Sequence, residues 1–219
     1  IVNLSTAYPC YHGFINGRLR VGCHGHGSPI PLKPALQTSC NAYFCWGFKA
    51  MIDNKRSKYG NSANAFEVWK KHLVSLGYGY PLGVDLPAEG RGFIPNAKFY
   101  NKIYGENHWS ANTIISVAIG QGEILATPLQ IANLCATVAN RGWFITPHVV
   151  KEIQDTVIDE QYRTQRHPII SAEHFNDIAE GMRMAVTGGT CRLANLPDIE
   201  VCGKTGTAQN PHGKDHSAF

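Results

Sequence analysis

Long hydrophobic runs are missing from this sequence of 219 residues. No apolar stretch approaches the roughly 20 residues that a membrane-spanning helix needs, and no signal-peptide pattern is present. Charge is sparse: 16% of residues are Asp, Glu, Lys or Arg, with a mild balance of +4. The Lys and Arg residues are scattered, so charge nominates neither a nucleic acid nor a membrane surface as partner. Repeats and low-complexity tracts are absent, which excludes solenoid and disordered classes. Also absent is any serine followed three residues later by lysine. What remains is an ordinary globular composition, 43% hydrophobic and long enough to bury a core.

Cysteine is the exception. Seven are present, which leaves disulfides, a metal site or buried thiols open. Residues 10–23 contain Asn16-Gly17, a two-residue hairpin turn signal, because both positions tolerate positive φ. Centring the turn there pairs Ile15 with Arg18 and sets Cys10 opposite Cys23. Beyond the prolines of 29–34, a short helical turn leads to Ser39-Cys40-Asn41. Asn41 is expected to cap a helix carrying Phe44, Phe48 and Ile52.

A second helix is expected near 62–76, with Phe66, Trp69, Leu73 and Leu76 on one face and Gly77 as its stop. Residues 77–109 read as an ordered, loop-dominated surface. Thr127 caps a third helix that begins at Pro128 and is ended by Gly142. Strands are expected over 143–153, near 156–163 and over 198–209, with a helix over 172–187. A helical stretch followed by strand, helix and strand favours α+β over a doubly wound fold. The chain starts at Ile1, and Ser217-Ala218-Phe219 look like the opening of a strand. The sequence therefore reads as a segment of a longer protein whose anchor could lie outside it.

Lys204-Thr205-Gly206-Thr207 is the sharpest chemical signal. A strand bearing lysine, hydroxyls and glycine suits a peptide carboxylate: lysine supplies charge, threonine donates, and glycine admits a substrate backbone. Alone, the tripeptide equally suits a strand end with a solvated lysine. Ser39-x-Asn41 alone suits an ordinary helix cap. Together, and in this order, they match two of the three signatures of penicillin-recognising serine enzymes, Ser-x-x-Lys, Ser-x-Asn and Lys-Thr-Gly.

Longer stretches extend the match: GVDLPAEGRGFIPN (83–96), AIGQGEILATPLQIANLCATVANRG (118–142), ITPHVV (145–150) and GKTGTAQNPHGKDHS (203–217). These closely resemble the transpeptidase domain of class B penicillin-binding proteins of the elongation type, over nearly the whole chain. The resemblance implies a partial penicillin-binding, β-lactamase-like fold, an antiparallel sheet flanked by helices. Within 1–219, residues 1–40 would form the hairpin leading into Ser-x-Asn, 41–126 a helical lobe, and 127–219 a helix-and-sheet portion. It further implies a peptidoglycan D,D-transpeptidase at the periplasmic face of the inner membrane. That enzyme acylates on the penultimate D-Ala of a stem peptide, binds β-lactams, and works with a glycosyltransferase in elongation.

Carried over by position, Ser39 belongs to the proton-transfer network, and Asn41 bonds the substrate or the general-base lysine. Lys204 sets the electrostatics, Thr205 and Thr207 contact the carboxylate beside Gly206, and the Thr207 N–H is an oxyanion donor. The departure is the missing Ser-x-x-Lys, which in the family lies before Ser-x-Asn. The chain as given is thus expected to be inactive without its nucleophile.

Cys40 has several readings. A nucleophile would need an activating partner, and the family gives this middle position no catalytic role. A small buried residue is the ordinary alternative. The spacing of Cys10, Cys23, His26 and Cys40 supplies three thiolates and an imidazole, enough for a closed tetrahedral zinc site, with His24 or His12 able to replace His26. Some family members resemble this arrangement with Asp, Asp, His and Cys ligands, and cysteines here stand where those aspartates do. The rival, a Cys10–Cys23 disulfide, leaves His26 and Cys40 unexplained. Cys191 and Cys202 could be bridged or free; Cys45 and Cys135 are expected in the core; His212 and His216 are expected in a solvated loop.

Other functions remain in view. A D,D-carboxypeptidase or β-lactamase-type hydrolase is opposed by the 83–96 and 118–142 segments. A non-enzymatic β-lactam receptor would acylate without turnover. A zinc-knuckle nucleic-acid module on residues 10–40 lacks the basic cluster and interleaved aromatics such binding needs.

Overall fold

The computed structural model describes residues 3–54, 58–210 and 212–219. The chain opens with an antiparallel hairpin, β1 (Gly13–Asn16) and β2 (Leu19–Gly22). Its register differs from the expected one: Asn16 pairs with Leu19 and Gly13 with Gly22, so Gly17 and Arg18 form the loop. Gly17 takes φ 62° while Asn16 stays in the strand, which suits a turn with glycine at its first loop position. Cys10 is therefore not opposite Cys23; the ladder ends where the Cys23 N–H meets the His12 carbonyl at 3.0 Å.

Helix α1 (Leu32–Thr38) and helix α2 (Asn41–Ile52) follow. The cap of α2 is Cys40, whose sulfur accepts from the Tyr43 N–H at 3.3 Å. Asn41 is instead the first helical residue, and its amide donates to the Gly22 carbonyl at 2.9 Å. Helix α3 (Ser62–Ser75) starts at the Asn61 cap, which accepts from the Asn64 N–H at 2.8 Å. The main core lies between α2 and α3, where Phe48, Phe66, Tyr100 and Trp109 bury their rings. Phe66 meets Trp109 edge-on at 5.8 Å and Tyr100 at 5.4 Å, and each such pair adds about 1 kcal/mol beyond area burial.

The region expected to be loop contains helix α4 (Ala97–Tyr104), capped by Asn96. Its eight residues are too few for a sequence period to stand out, yet they place Tyr100 in the core. The rest is loop tied by Glu89, whose carboxylate accepts the N–H groups of Leu82, Gly83 and Val84 at 2.6–3.1 Å. Helix α5 (Pro128–Ala139) forms as expected, with a reciprocal capping box between Thr127 and Gln130. Its buried face carries Gln130, Asn133, Thr137 and Val138, so Cys135 on the opposite face is exposed rather than in the core. Cys45 is fully buried, as expected.

Helix α6 (Glu173–Gly188) packs on α1, with Lys33 bonded to Asp177 at 2.9 Å and to Glu180 at 2.5 Å. The expected strands mostly do not form. Over 143–153 there are only two isolated bridges to the later chain, Phe144 to Arg166 and Ile153 to Thr156; Pro147 has no N–H, and the Asp85 carboxylate takes those of Val149 and Val150. Residues 156–163 end in a 3-10 turn, Glu160–Tyr162. Within 198–209 only β3 (Gly206–Ala208) forms, paired with β4 (His216–Ala218). The described residues thus hold two separate antiparallel hairpins among helices. No helix among them is long and apolar enough to cross a membrane.

Candidate functional site

The site begins at the C-terminus of α1. Ser39 sits in the left-handed region (φ 55°, ψ 49°). The Ser39 N–H bonds the Leu36 carbonyl, and the Cys40 N–H bonds that of Ala35 at 2.9 Å. This is a Schellman ending in which serine holds the place glycine usually takes, at a cost of about 1–2 kcal/mol. The sharp reversal leaves Ser39 facing one way and starts α2 immediately from Cys40.

Lys204, just before β3, lies against that turn. Its Nζ donates to Ser39 Oγ at 2.7 Å and to the Thr205 carbonyl at 2.8 Å. Burial lowers the lysine pKa, opposed by the nearby Cys191. Thr205 Oγ1 donates to Thr190 Oγ1 at 3.0 Å. Gln121, on the loop before α5, reaches the Thr207 carbonyl at 3.4 Å. The structure therefore brings Ser39, Lys204 and Thr205 together, while the Asn41 amide group points its donor at the hairpin. Thr190 and Gln121 were not singled out by sequence. Their signal, a short polar run after a helix and a glutamine between two glycines, is too common to be informative alone.

Behind Ser39, the ligating atoms of Cys10, Cys23, His26 and Cys40 all lie within 4.8 Å of one another. Sulfur atoms bound to one tetrahedral zinc at about 2.3 Å are about 3.8 Å apart, so this donor set has a compatible size. His26 Nδ1 lies 2.8 Å from the Gly27 carbonyl. That contact puts the proton on Nδ1 and turns Nε2, 3.4 Å from Cys23 Sγ, toward the thiols. Burial pushes the Cys40 thiol up to about 12. Burial raises the Cys23 thiol too, but His26 and the N–H groups of Ala42 and Asn41 outweigh it, and the net direction is down. The start of α2 thus turns donors toward the cluster. His12 and His24 are outside it.

The remaining cysteines do not add to the site as a bridge. All seven are free thiols; Cys191 is buried and Cys202 exposed. Cys191 Sγ lies 3.8 Å from Thr190 Oγ1. His212 and His216 are exposed.

Residues 1–218 match the penicillin-binding protein transpeptidase domain, and the chain belongs to that family. Among curated relatives, the peptidoglycan D,D-transpeptidase MrdA of Acinetobacter baumannii is 31% identical over 192 residues, which is 84% of this chain and 26% of that protein. The chain spans about a quarter of the length of such relatives. Penicillin-binding protein 2 of Helicobacter pylori superposes with a TM-score of 0.78 at 24% identity, over 99% of this chain and 38% of that one. The same protein in complex with MreC gives 0.76, also at 24% identity, over 99% and 38%. These likenesses show the fold: the helices and hairpins are part of a penicillin-binding transpeptidase architecture.

Proposed function

We propose that this chain supplies the Ser-x-Asn and Lys-Thr-Gly walls of an elongation-type peptidoglycan D,D-transpeptidase. The observation that carries the reading is the 2.7 Å bond from Lys204 to Ser39, which joins the two motifs across 165 residues. Because the ammonium donates, the Ser39 hydroxyl keeps its own proton for a group on the substrate side. That suits delivery of a proton to the departing D-Ala amine, and its recovery from the incoming amine of a neighbouring strand. Lys204 and the hydroxyls of Thr205 and Thr207 offer charge and donors to a terminal carboxylate. Exposed β3 has β4 on one edge, and its other edge suits pairing with an extended stem peptide or a β-lactam. The Thr207 N–H lies on that strand as an oxyanion donor.

The attacking serine is not among these residues, since no Ser-x-x-Lys occurs. The reading therefore concerns the full-length protein, acting in the cell envelope at the periplasmic face of the inner membrane. An MreC-type scaffold, as in the Helicobacter pylori complex, and a glycosyltransferase would be its partners. Cys10, Cys23, His26 and Cys40 would hold a structural zinc, closed to substrate, whose role is to bind the hairpin to the turn that carries Ser39.

The test is fluorescent-penicillin labelling of the full-length protein and of this chain alone, with the acylated residue mapped. Labelling confined to the full-length protein, at a Ser-x-x-Lys serine, is expected. Labelling of this chain, or none of the full-length protein, would overturn the reading.

A further inference from the structure

Thr190 closes a loop of contacts that neither motif contains. Its N–H bonds the Gln37 carbonyl at 3.1 Å, two residues before Ser39. Its hydroxyl bonds Thr205, and Thr205 adjoins Lys204, which returns to Ser39. The turn is built for this approach: a Cβ on Gly189 would collide with the Gln37 carbonyl oxygen. One segment after α6 therefore holds both the Ser39 turn and the hydroxyl of the Lys-Thr-Gly threonine.

Resting on the transpeptidase reading, we propose that Thr190 is a positioning residue for carboxylate recognition by Thr205. A hydroxyl that donates to Thr190 has no proton left for a substrate carboxylate. When the carboxylate arrives, the pair reverses: Thr205 donates to the carboxylate and Thr190 donates to Thr205. Thr190 then has lone pairs free to accept from the Cys191 thiol, 3.8 Å away and buried. Without the carboxylate the chain Cys191–Thr190–Thr205 can run either way, because each hydroxyl both donates and accepts; once the carboxylate accepts from Thr205, the chain runs from the thiol toward it.

The experiment compares T190V, T190S and wild type in the full-length protein. Measured are the second-order acylation rates by a penicillin and by its methyl ester, which lacks the carboxylate. T190V is expected to acylate at least tenfold more slowly with the free acid, chiefly through weaker binding, and T190S to stay near wild type. Against the ester, T190V and wild type should be equal. A loss in T190V of the same size for acid and ester would mean a merely structural role and overturn the proposal, as would no loss at all. If wild type is not acylated, the transpeptidase reading falls instead. The Thr190 link is then decided by titrating N-acetyl-D-Ala-D-Ala into 15N-labelled protein. Amide shifts at Thr205 and Thr207 that T190S keeps and T190V loses would support it; shifts unaffected by T190V, or none in wild type, would overturn it.

Discussion

Lys204 Nζ donates to Ser39 Oγ at 2.7 Å, and the acceptor is held in a left-handed turn between two helices. The strain at Ser39 persists because α1, α2 and Lys204 fix the turn from three sides.

Substituting Ser39 separates those contributions. Ser39→Ala removes the acceptor and keeps the strain, costing about 1 kcal/mol in denaturant unfolding. Ser39→Gly also removes the acceptor, but it relaxes the left-handed turn and recovers about 1 kcal/mol. Both should slow penicillin acylation of the full-length protein by about 100-fold or more, since the shuttle is lost in either. Acylation by the Ser39→Gly variant near the wild-type rate would show that the hydroxyl moves no proton.

Lys204 gives a pH dependence of defined sign. Burial lowers its pKa below the ordinary lysine value of about 10.4. The folded chain then binds that proton less well than the unfolded chain does. Stability therefore rises with pH from the folded value up to the unfolded one, and the penalty on the charged form applies below. Unfolding midpoints across this alkaline window should show the rise in wild type and lose it in Lys204→Met. Identical slopes in both would place the titration elsewhere.

For the thiol-rich cluster, protein prepared without chelator should contain one zinc per chain by elemental analysis. Cys40→Ser or Cys23→Ser should bring the content close to zero. The thermal midpoint should fall by at least ~5 °C, corresponding to the loss of one or two kcal/mol in a chain of this size. Metal-free wild type with a mapped Cys10–Cys23 bridge would rule the site out.

Gln130 is a fully buried amide that donates to the Tyr80 and Arg91 carbonyls and accepts from the Thr127 N–H. Gln130→Leu preserves bulk but leaves three backbone groups unpaired. A cost of about 3 kcal/mol in denaturant unfolding is expected. A cost below ~1 kcal/mol would mean that water replaces the amide.

Local rules made much of the helical scaffold legible in advance. The α5 start was readable because Thr127, Pro128 and Gln130 act within one turn, and the α3 stop because Gly77 follows its last apolar residue. The strands over 143–163 were not, because an apolar run becomes a strand only where a partner edge exists; here Asp85 takes two of the available N–H groups. The hairpin register slipped by two residues because either glycine-bearing centring satisfies the turn signal.

The sequence by itself determined the family motifs, the α+β class and three cysteine donors of metal type, with the histidine left open among three. Chemical type and order along the chain suffice for those. Only the tertiary structure decided that the Ser39 hydroxyl takes the Lys204 proton donor, that Asn41 bonds the hairpin, and that His26 rather than His12 or His24 joins the thiols. It also brought in Thr190. These are distances between segments far apart in the chain, set by how α1, α6 and β3 pack together, and no local pattern encodes them.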